Sequence, residues 1–325
     1  MPRKVRHSLL TSAKICKNDE FYTQLADIER ELKHYERHFM GKTVLCNCDD
    51  YRTSNFVKYF QSNFQKLGLK SLFAVAYKNQ ERDLFSQDVS EKATVAEYRG
   101  GATGAGAFDV RELSGDGDFR SKESMEILKK ADIVVTNPPF SLFREYLAQL
   151  MAYEKKFLVI GNINAITYRE IFQLIKENRI WLGVNLGRGI SGFIVPPQYE
   201  LYGTETKIDE SGNRIVATNN CLWLTNLDHD QRHECIRLTK RYYGHESEFL
   251  SYDNFDGINV DNTKDIPLDY TGVVGVPITF LHKFNPMQFE IIKFRKGDDG
   301  KDLSINGKCP YFRILIRRKQ DLSPA

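Results

Sequence analysis

The fold is decided by residues 131–140, which read Ala131-Asp132-Ile133-Val134-Val135-Thr136-Asn137-Pro138-Pro139-Phe140. The first half is an apolar run rich in β-branched residues, and such a run predicts a buried strand. The two prolines end this strand, because proline fixes φ and has no N–H donor. Leu142, Tyr146 and Leu150 then recur at helical spacing. A buried strand that turns at once into a helix is typical of an α/β domain.

The same alternation of strands and helices extends outward over residues 43–161. The predicted strands are 43–46, 72–76, 107–110, 132–136 and 157–160, and the predicted helices are 54–67, 121–130 and 141–153. A further helix is predicted at 172–177, and later strands of the same sheet at 181–184 and 221–224. Strands that are apolar along their whole length are typical of a parallel sheet covered on both faces. The predicted fold class is therefore α/β, with a doubly wound sheet.

Three segments depart from this alternation. Residues 79–106 are polar and end in a glycine-rich run, which no strand precedes, so we interpret them as a connector. Residues 203–220 are predicted to form a polar hairpin that turns at 210–213. From residue 228 onward the alternation stops, and we predict a second, smaller domain there with short strands around Ile278, Phe280, Phe289 and Ile291.

Composition excludes several classes of protein. Hydrophobic residues make up 41% and charged residues 27% of the chain, which excludes disordered and fibrous proteins. No apolar run reaches the ~18 residues that a membrane helix needs, and the first residues lack the apolar stretch of a secretory signal. The six cysteines have neither disulfide-framework nor zinc-site spacing. We therefore expect no metal and a cytoplasmic location.

Basic residues are concentrated towards the two ends of the chain. Residues 1–17 hold five Lys/Arg and no acidic residue, and residues 281–319 hold ten against four acidic residues. Two basic ends around an acidic middle fit a polyanionic partner. A basic tail is more often only a solvated end, so this pattern leaves both interpretations open.

The tetrapeptide Asn137-Pro138-Pro139-Phe140 is the candidate catalytic site. One interpretation is a rigid proline turn; the alternative is a clamp for a planar amine. The side-chain oxygen of Asn137 and the carbonyl of Pro138 can both accept from one amino group, and Phe140 supplies a flat face for a ring. Two such acceptors would point the lone pair of a weakly nucleophilic amine at an electrophile, which is catalysis by orientation and electrostatic stabilisation.

Eight segments of the chain, including this clamp, are similar to one known family. They are 19–24, 46–50, 115–121, 137–146, 192–206, 219–227, 264–270 and 308–315. Together they resemble the EcoRI-type adenine-specific DNA methyltransferases, and Asn-Pro-Pro-Phe after a strand resembles motif IV of the amino-methyltransferases that use S-adenosyl-L-methionine. The resemblance covers nearly the whole chain. It implies a Rossmann-like methyltransferase sheet with a smaller C-terminal target-recognition domain.

The resemblance implies seven residues that bind S-adenosyl-L-methionine. These are Phe21, Tyr22, Thr23, Asn47, Asp49, Asp118 and Phe119. The first three would contact the methionine end, the next two the methionine and ribose region, and the last two the adenine ring. The chain departs from the wider methyltransferase pattern in two places, since no Gly-x-Gly follows the first strand and no ribose-binding acid follows Ala76. An alternative role for Asp118 is to cap the helix that begins at Ser121.

A base in duplex DNA must be extruded before an enzyme can act on it, and the extruded base needs an aromatic partner. Tyr202 is the first candidate and Tyr199 the second, whereas Phe193 lies in an apolar run and is expected in the core. For contacts to DNA phosphates the candidates are Arg317, Arg318 and Lys319.

The sequence thus predicts a site-specific adenine N6-methyltransferase of duplex DNA. Residues 1–40 would form an N-terminal helical segment of the cofactor site, 41–227 the catalytic domain and 228–325 the target-recognition domain. The resemblance also implies a monomer and a cognate restriction endonuclease as partner. Two alternatives remain: an enzyme that uses the same clamp on an rRNA base or a protein glutamine, and a nucleic-acid-binding protein without catalytic activity.

Overall fold

The computed structural model describes residues 22–77, 92–101, 106–186, 190–195, 206–209, 212–216 and 220–319. Three of the predicted site residues, Phe21, Tyr199 and Tyr202, lie outside the described residues.

The described strands are numbered in chain order. They are β1 (Tyr22–Thr23), β2 (Thr43–Asn47), β3 (Ser71–Ala76), β4 (Thr94–Tyr98), β5 (Asp109–Glu112), β6 (Ile133–Thr136), β7 (Lys156–Asn162), β8 (Trp181–Leu186), β9 (Phe193–Val195), β10 (Thr206–Ile208), β11 (Arg214–Val216), β12 (Cys221–Thr225), β13 (Leu250–Ser251), β14 (Ile258–Asn259), β15 (Val273–Pro277), β16 (Phe289–Phe294) and β17 (Arg313–Arg318). The described α-helices are α1 (Leu25–Leu32), α2 (Asn55–Ser62), α3 (Phe64–Leu67), α4 (Lys122–Lys130), α5 (Phe143–Ala152) and α6 (Arg169–Lys176).

The largest sheet has eight strands in the order β5-β4-β3-β2-β6-β7-β12-β8. The four central strands β3, β2, β6 and β7 run parallel. In contrast, β4, β5 and β12 pair antiparallel with their neighbours. The α/β class and the strands predicted in the central part of the sheet are confirmed, but the sheet is mixed rather than parallel throughout. An apolar run indicates that a strand is buried on both faces, but it does not indicate the direction of the strand. The sequence therefore did not predict which strands are antiparallel.

The central strands are largely buried, which matches their apolar, β-branched sequences. Every residue of β2, β3 and β6 is buried, and the core beneath them includes the wholly buried rings of Trp223 and Phe60. Two of the described α-helices, α2 and α4, begin after a serine whose side chain caps the helix. The Ser54 hydroxyl accepts from the amides of Phe56 and Val57 at the start of α2, as is typical of serine at an N-cap.

Three of the elements predicted before residue 168 differ from the structure. The connector predicted at 79–106 is wrong over β4, a strand whose partly exposed and buried residues signal it only weakly. The strand predicted at 107–110 lies two residues later, and the helix predicted at 54–67 is divided at Asn63 into α2 and α3. The predicted polar hairpin is confirmed, because β10 pairs antiparallel with β11, with Thr206 opposite Val216.

The chain divides into two compact units. The first comprises the described residues up to Thr167 together with Gly183–Leu227, and it contains the eight-stranded sheet. A second sheet of this unit has the order β1-β9-β11-β10, in which Tyr22 and Thr23 pair antiparallel with Ile194 and Phe193.

The second unit comprises Tyr168–Leu182 and the described residues from Asp228 onward. It contains a five-stranded sheet in the order β13-β14-β15-β17-β16, and it also contains α6. The Phe172 ring of α6 lies 5.0 Å from the Phe294 ring, measured between centroids, and Lys176 Nζ donates to the carbonyl oxygen of Ile292 at 2.6 Å. Ile278 and Phe280 lie in a 3-10 helix, so the prediction of a strand there is wrong, whereas Phe289 and Ile291 lie in β16.

Candidate active site

The predicted clamp lies at the carboxyl end of β6, which is flanked by β2 and β7 near the middle of the largest sheet. Pro138 is buried, and Asn137, Pro139 and Phe140 are half-buried. The side-chain oxygen of Asn137 is itself inaccessible to solvent. The chain then turns through a 3-10 helix, in which the Leu142 amide donates to the carbonyl of Pro139 at 3.1 Å. The strand-turn-helix context predicted for the tetrapeptide is therefore confirmed.

The helix after the clamp packs closely on the sheet. Gly161 in β7 faces the Phe143 ring of α5, and a Cβ at this glycine would lie 2.6 Å from that ring. The Phe140 ring lies 6.0 Å from the Phe193 ring, between centroids. Phe193 is 3% exposed, so its predicted place in the core is confirmed. These contacts fix the entry of the chain into α5 and with it the position of Phe140.

A turn follows β2 at the neighbouring strand end. Asn47 is buried, and its side-chain oxygen accepts from the amide of Cys48 at 3.1 Å. Cys48 has a positive φ of 66°, which redirects the chain so that the amide of Asp49 donates to the carbonyl of Val75 at 2.9 Å. Predicted cofactor residues Asn47 and Asp49 thus lie beside the end of β6.

The Asp49 carboxylate is held by two hydroxyl groups. Its Oδ1 accepts from Ser54 Oγ and its Oδ2 accepts from Thr136 Oγ1, both at 2.6 Å. Burial raises the pKa of Asp49 to about 6, although both hydroxyl groups lower it. Ser54 and Thr136 were not predicted as site residues. The sequence signal that could have identified Thr136 is that it is the one polar residue at the end of the otherwise aliphatic strand β6.

The third predicted cofactor segment lies against the end of β3. Gly117 has a positive φ, and a Cβ there would lie 2.4 Å from the carbonyl oxygen of Ala76. Asp118 accepts from Arg120 Nε at 2.9 Å and Nη2 at 2.6 Å, and these bonds lower the pKa of Asp118. The Phe119 ring is buried edge-on against Tyr146, with 5.0 Å between centroids.

Helix α4 is capped by Ser121 rather than by Asp118. The Ser121 hydroxyl accepts from the Ser124 amide at 3.1 Å. The alternative role of Asp118 as the helix cap is therefore wrong, and its carboxylate faces Arg120 instead.

The N-terminal segment is anchored to the first unit through buried acids of α1. Glu31 is fully buried and accepts from the amides of Val184 and Asn185 at 2.8 and 2.9 Å, while burial raises the pKa of Glu31. Asp27 accepts from the Ser191 amide at 2.8 Å. The spacing of two acids on one apolar helix face was a signal in the sequence that the prediction did not use.

This anchoring places Tyr22 and Thr23 next to the start of α2, where Asn55 Nδ2 donates to the carbonyl of Thr23 at 2.8 Å. Tyr22 is 37% exposed and Thr23 is buried. Within the described part of the chain, the Thr23 hydroxyl has no hydrogen-bond partner. A buried hydroxyl of this kind is available to a polar ligand.

The predicted phosphate contacts lie at the end of β17 in the second unit. Arg317 Nη1 pairs with Glu290 Oε1 at 3.1 Å, the Arg318 guanidinium donates to the carbonyl of Leu268, and Lys319 Nζ donates to that of Pro286 at 2.7 Å.

Two features are absent from the residues that the structure describes. None of their helices is long and apolar enough to cross a membrane. Their His, Cys, Asp and Glu side chains also form no group of three or more that could hold a metal ion.

Comparisons with known proteins agree over the whole chain. A family model described as adenine-specific methyltransferase EcoRI matches residues 9–319. The chain is 62% identical over 323 residues to the Type II methyltransferase M.EcoRI of Escherichia coli. This alignment covers 98% of this chain and 99% of that protein. It is 36% identical over 330 residues to the Type II methyltransferase M.MpnI of Mycoplasma pneumoniae, with 95% and 98% covered. No solved structure matches.

Proposed function

The chain belongs to the adenine-specific EcoRI methyltransferase family, and on that premise we propose that it methylates adenine N6 at specific sites in duplex DNA. It is a site-specific DNA methyltransferase, and the relatives compared above are named Type II methyltransferases. The observation that carries the catalytic assignment is the position of Asn137-Pro138-Pro139-Phe140 at the end of a central strand, since doubly wound sheets bind ligands beyond their carboxyl edge.

S-adenosyl-L-methionine is the proposed methyl donor. When bound, it supplies an electrophilic methyl group. Thr23, Asn47 and Asp118 would hold it, because they present a hydroxyl, an amide and a carboxylate on three neighbouring segments of the first unit. The buried Thr23 hydroxyl, which no described residue engages, fits a polar ligand at this place. Aromatic side chains would surround the bound cofactor, and the proposed ones are Phe21, Tyr22 and Phe119. Phe119 is buried in the core.

The clamp residues have distinct proposed roles in the transfer. Asn137 Oδ1 and the carbonyl oxygen of Pro138 accept hydrogen bonds from the two N–H groups of the adenine amine. This orients the nitrogen lone pair and stabilises the positive charge that develops as the bond to carbon forms. Phe140 lies against one face of the base. Pro139 keeps the backbone rigid, because its φ is fixed.

The target adenine is proposed to leave the duplex before transfer. Tyr202, or else Tyr199, would stack on its second face. Both residues follow β9, which pairs with the segment that carries Tyr22 and Thr23. This pairing supports the proposal that cofactor and base are bound by adjoining parts of one unit.

The part of the second unit from residue 228 onward is the proposed target-recognition domain. It carries the basic stretch 281–319, with ten Lys/Arg against four acids. Tyr311 is 72% exposed, and its ring is stacked on that of Phe312 with 5.0 Å between centroids. Exposed aromatic rings among cations are typical of nucleic-acid contacts. Duplex DNA is the proposed substrate, bound by a monomer that acts beside a cognate restriction endonuclease.

The test is transfer of a labelled methyl group from S-adenosyl-L-methionine to duplex DNA, rRNA and protein in parallel reactions, followed by identification of the methylated group. We expect label in DNA as N6-methyladenine at a defined sequence. Label that accumulates in rRNA or in glutamine would favour the alternative substrates, and no transfer to any of them would favour the non-catalytic alternative.

The variant Asn137→Ala tests the assignment of the clamp in the same reaction. Loss of one oriented acceptor should lower the transfer rate by ~10²–10³, by analogy with removal of a preorganised donor. Binding of S-adenosyl-L-methionine should be retained, because Asn137 contacts only the reacting amine. A variant that keeps more than about a tenth of the wild-type rate would contradict the clamp assignment.

A further inference from the structure

Thr136 joins two parts of the proposed active site. It directly precedes Asn137 and is 0% exposed. Its hydroxyl contacts the carbonyl oxygen of Asn47 and lies 2.6 Å from Asp49 Oδ2. Both acceptors belong to the turn after β2. One side chain therefore links the strand that carries the clamp to the turn proposed to line the cofactor.

Asp49 extends this link to two more elements. Its second carboxylate oxygen accepts from Ser54, the residue that caps α2, and its amide donates to Val75 near the end of β3. Four elements, β2, β3, β6 and α2, thus meet at the single residue Asp49. A half-buried carboxylate whose two oxygens accept from two buried hydroxyl groups is well suited to hold elements together.

The backbone does not supply this link itself. The pairing of β2 with β6 is limited to Val44 with Ile133 and Leu45 with Val134. Beyond it, β2 continues beside β3 as far as Asn47, and β6 continues beside β7 as far as Thr136. The backbone pairing of β2 with β6 therefore stops before the carboxyl ends of the two strands, and the Thr136 hydroxyl supplies a contact between them there.

We propose that Thr136 and Asp49 are positioning residues, which set the distance between Asn137 and the turn that lines the methyl donor. The inference rests on the proposed function. Transfer requires the reacting atoms to approach to ~3–3.5 Å in line, and a displacement of ~1 Å can lower the rate by ~10²-fold. The hydroxyl and the carboxylate act through Asn137 and do not contact the amine.

The test variant is Thr136→Val, which keeps the shape of the side chain and removes the hydroxyl. Single-turnover transfer to a duplex that the wild type methylates should fall by roughly 10- to 100-fold. Dissociation constants for S-adenosyl-L-methionine and for that duplex should stay close to the wild-type values. Thr136→Ser should recover most of the rate, because it restores the hydroxyl.

Thr225→Val is the matched control. Thr225 is also 0% exposed and its hydroxyl donates to the carbonyl of Phe157 at 2.6 Å, but it lies on β12, two strands away from β6, and its hydroxyl bonds to β7 rather than to the turn after β2. It should lower thermal stability as Thr136→Val does and leave the transfer rate unchanged. Equal losses of rate in the two variants would overturn the proposal, since they would report general destabilisation.

Asp49→Asn provides a second approach if Thr136→Val does not fold. It keeps the shape of the side chain and removes the carboxylate that accepts from both hydroxyl groups. We expect a slower transfer step with little change in affinity. A loss confined to cofactor affinity would overturn the proposal and make Asp49 a direct ligand. If the wild type methylates no DNA at all, the proposed function fails before any variant is compared.

Discussion

Replacement of Asp49 by asparagine should change how stability depends on pH. Burial raises the pKa of this carboxyl from 3.8 to about 6. Its folded-state pKa lies above the unfolded value, so its favourable contribution is complete below the unfolded pKa and is lost as the pH rises through the folded pKa. The full loss is about 3 kcal/mol, at 1.36 kcal/mol for each unit of pKa. Asparagine cannot ionise and should escape this loss.

The measurement is urea unfolding of the wild type and Asp49→Asn at several pH values. Between about pH 5 and about pH 7.5, linkage predicts that the wild type loses roughly 1.4 kcal/mol of unfolding free energy relative to the variant. A constant difference across this range would refute the assignment of a raised pKa to Asp49. Asp253→Asn is the control, because hydrogen bonds from Gly307, Ser304 and Asn306 lower the pKa of Asp253. That carboxyl is ionised in both states over this range, so its difference should stay constant.

Three further predictions concern binding. Asp118→Ala should weaken the affinity for S-adenosyl-L-methionine, measured by calorimetry. An unchanged affinity would mean that the carboxylate is not a cofactor ligand and serves only to bind Arg120. Tyr202→Ala should reduce the fluorescence of 2-aminopurine placed at the target position, because stacking worth ~1–3 kcal/mol is lost. If the base flips normally in this variant but not in Tyr199→Ala, the stacking role belongs to Tyr199 instead. Replacement of all three cations at 317–319 by alanine should lower the slope of log affinity against log salt by up to roughly 3, equally for target and non-target DNA. An unchanged slope would make this cluster a solvated end.

The centre of the fold could be predicted because the signal there is strong. Apolar runs such as 132–136 are buried on both faces, and only a sheet covered by helices accommodates several of them. The position of Asn137 followed from the same run, since the prolines mark where the strand must end. Strand β4 was missed because it is short and two of its five residues, Thr94 and Glu97, are polar and only half-buried, so that it resembles its polar neighbourhood.

The contacts within the site could not be predicted in the same way. Nothing in the sequence places Thr136 opposite Asp49, which lies 87 residues earlier in the chain. Such pairs depend on which strands become neighbours, and strand order is a property of the whole fold. The resemblance to a family indicated Asp49 and Asp118 as ligands, but the hydroxyl groups and the arginine that hold their carboxylates appear only in the structure.

The second unit is assembled from two separate stretches of chain, and this affects how the proposed target-recognition domain can be exchanged between relatives. A single crossover after residue 227 would transfer the five-stranded sheet without α6. The Phe294 ring would then meet whatever side chain the recipient supplies in place of Phe172, and the Ile292 carbonyl would lose its lysine. Residues 168–182 must therefore be inherited together with the C-terminal part. Exchange of the proposed target-recognition domain between relatives therefore needs more than one crossover.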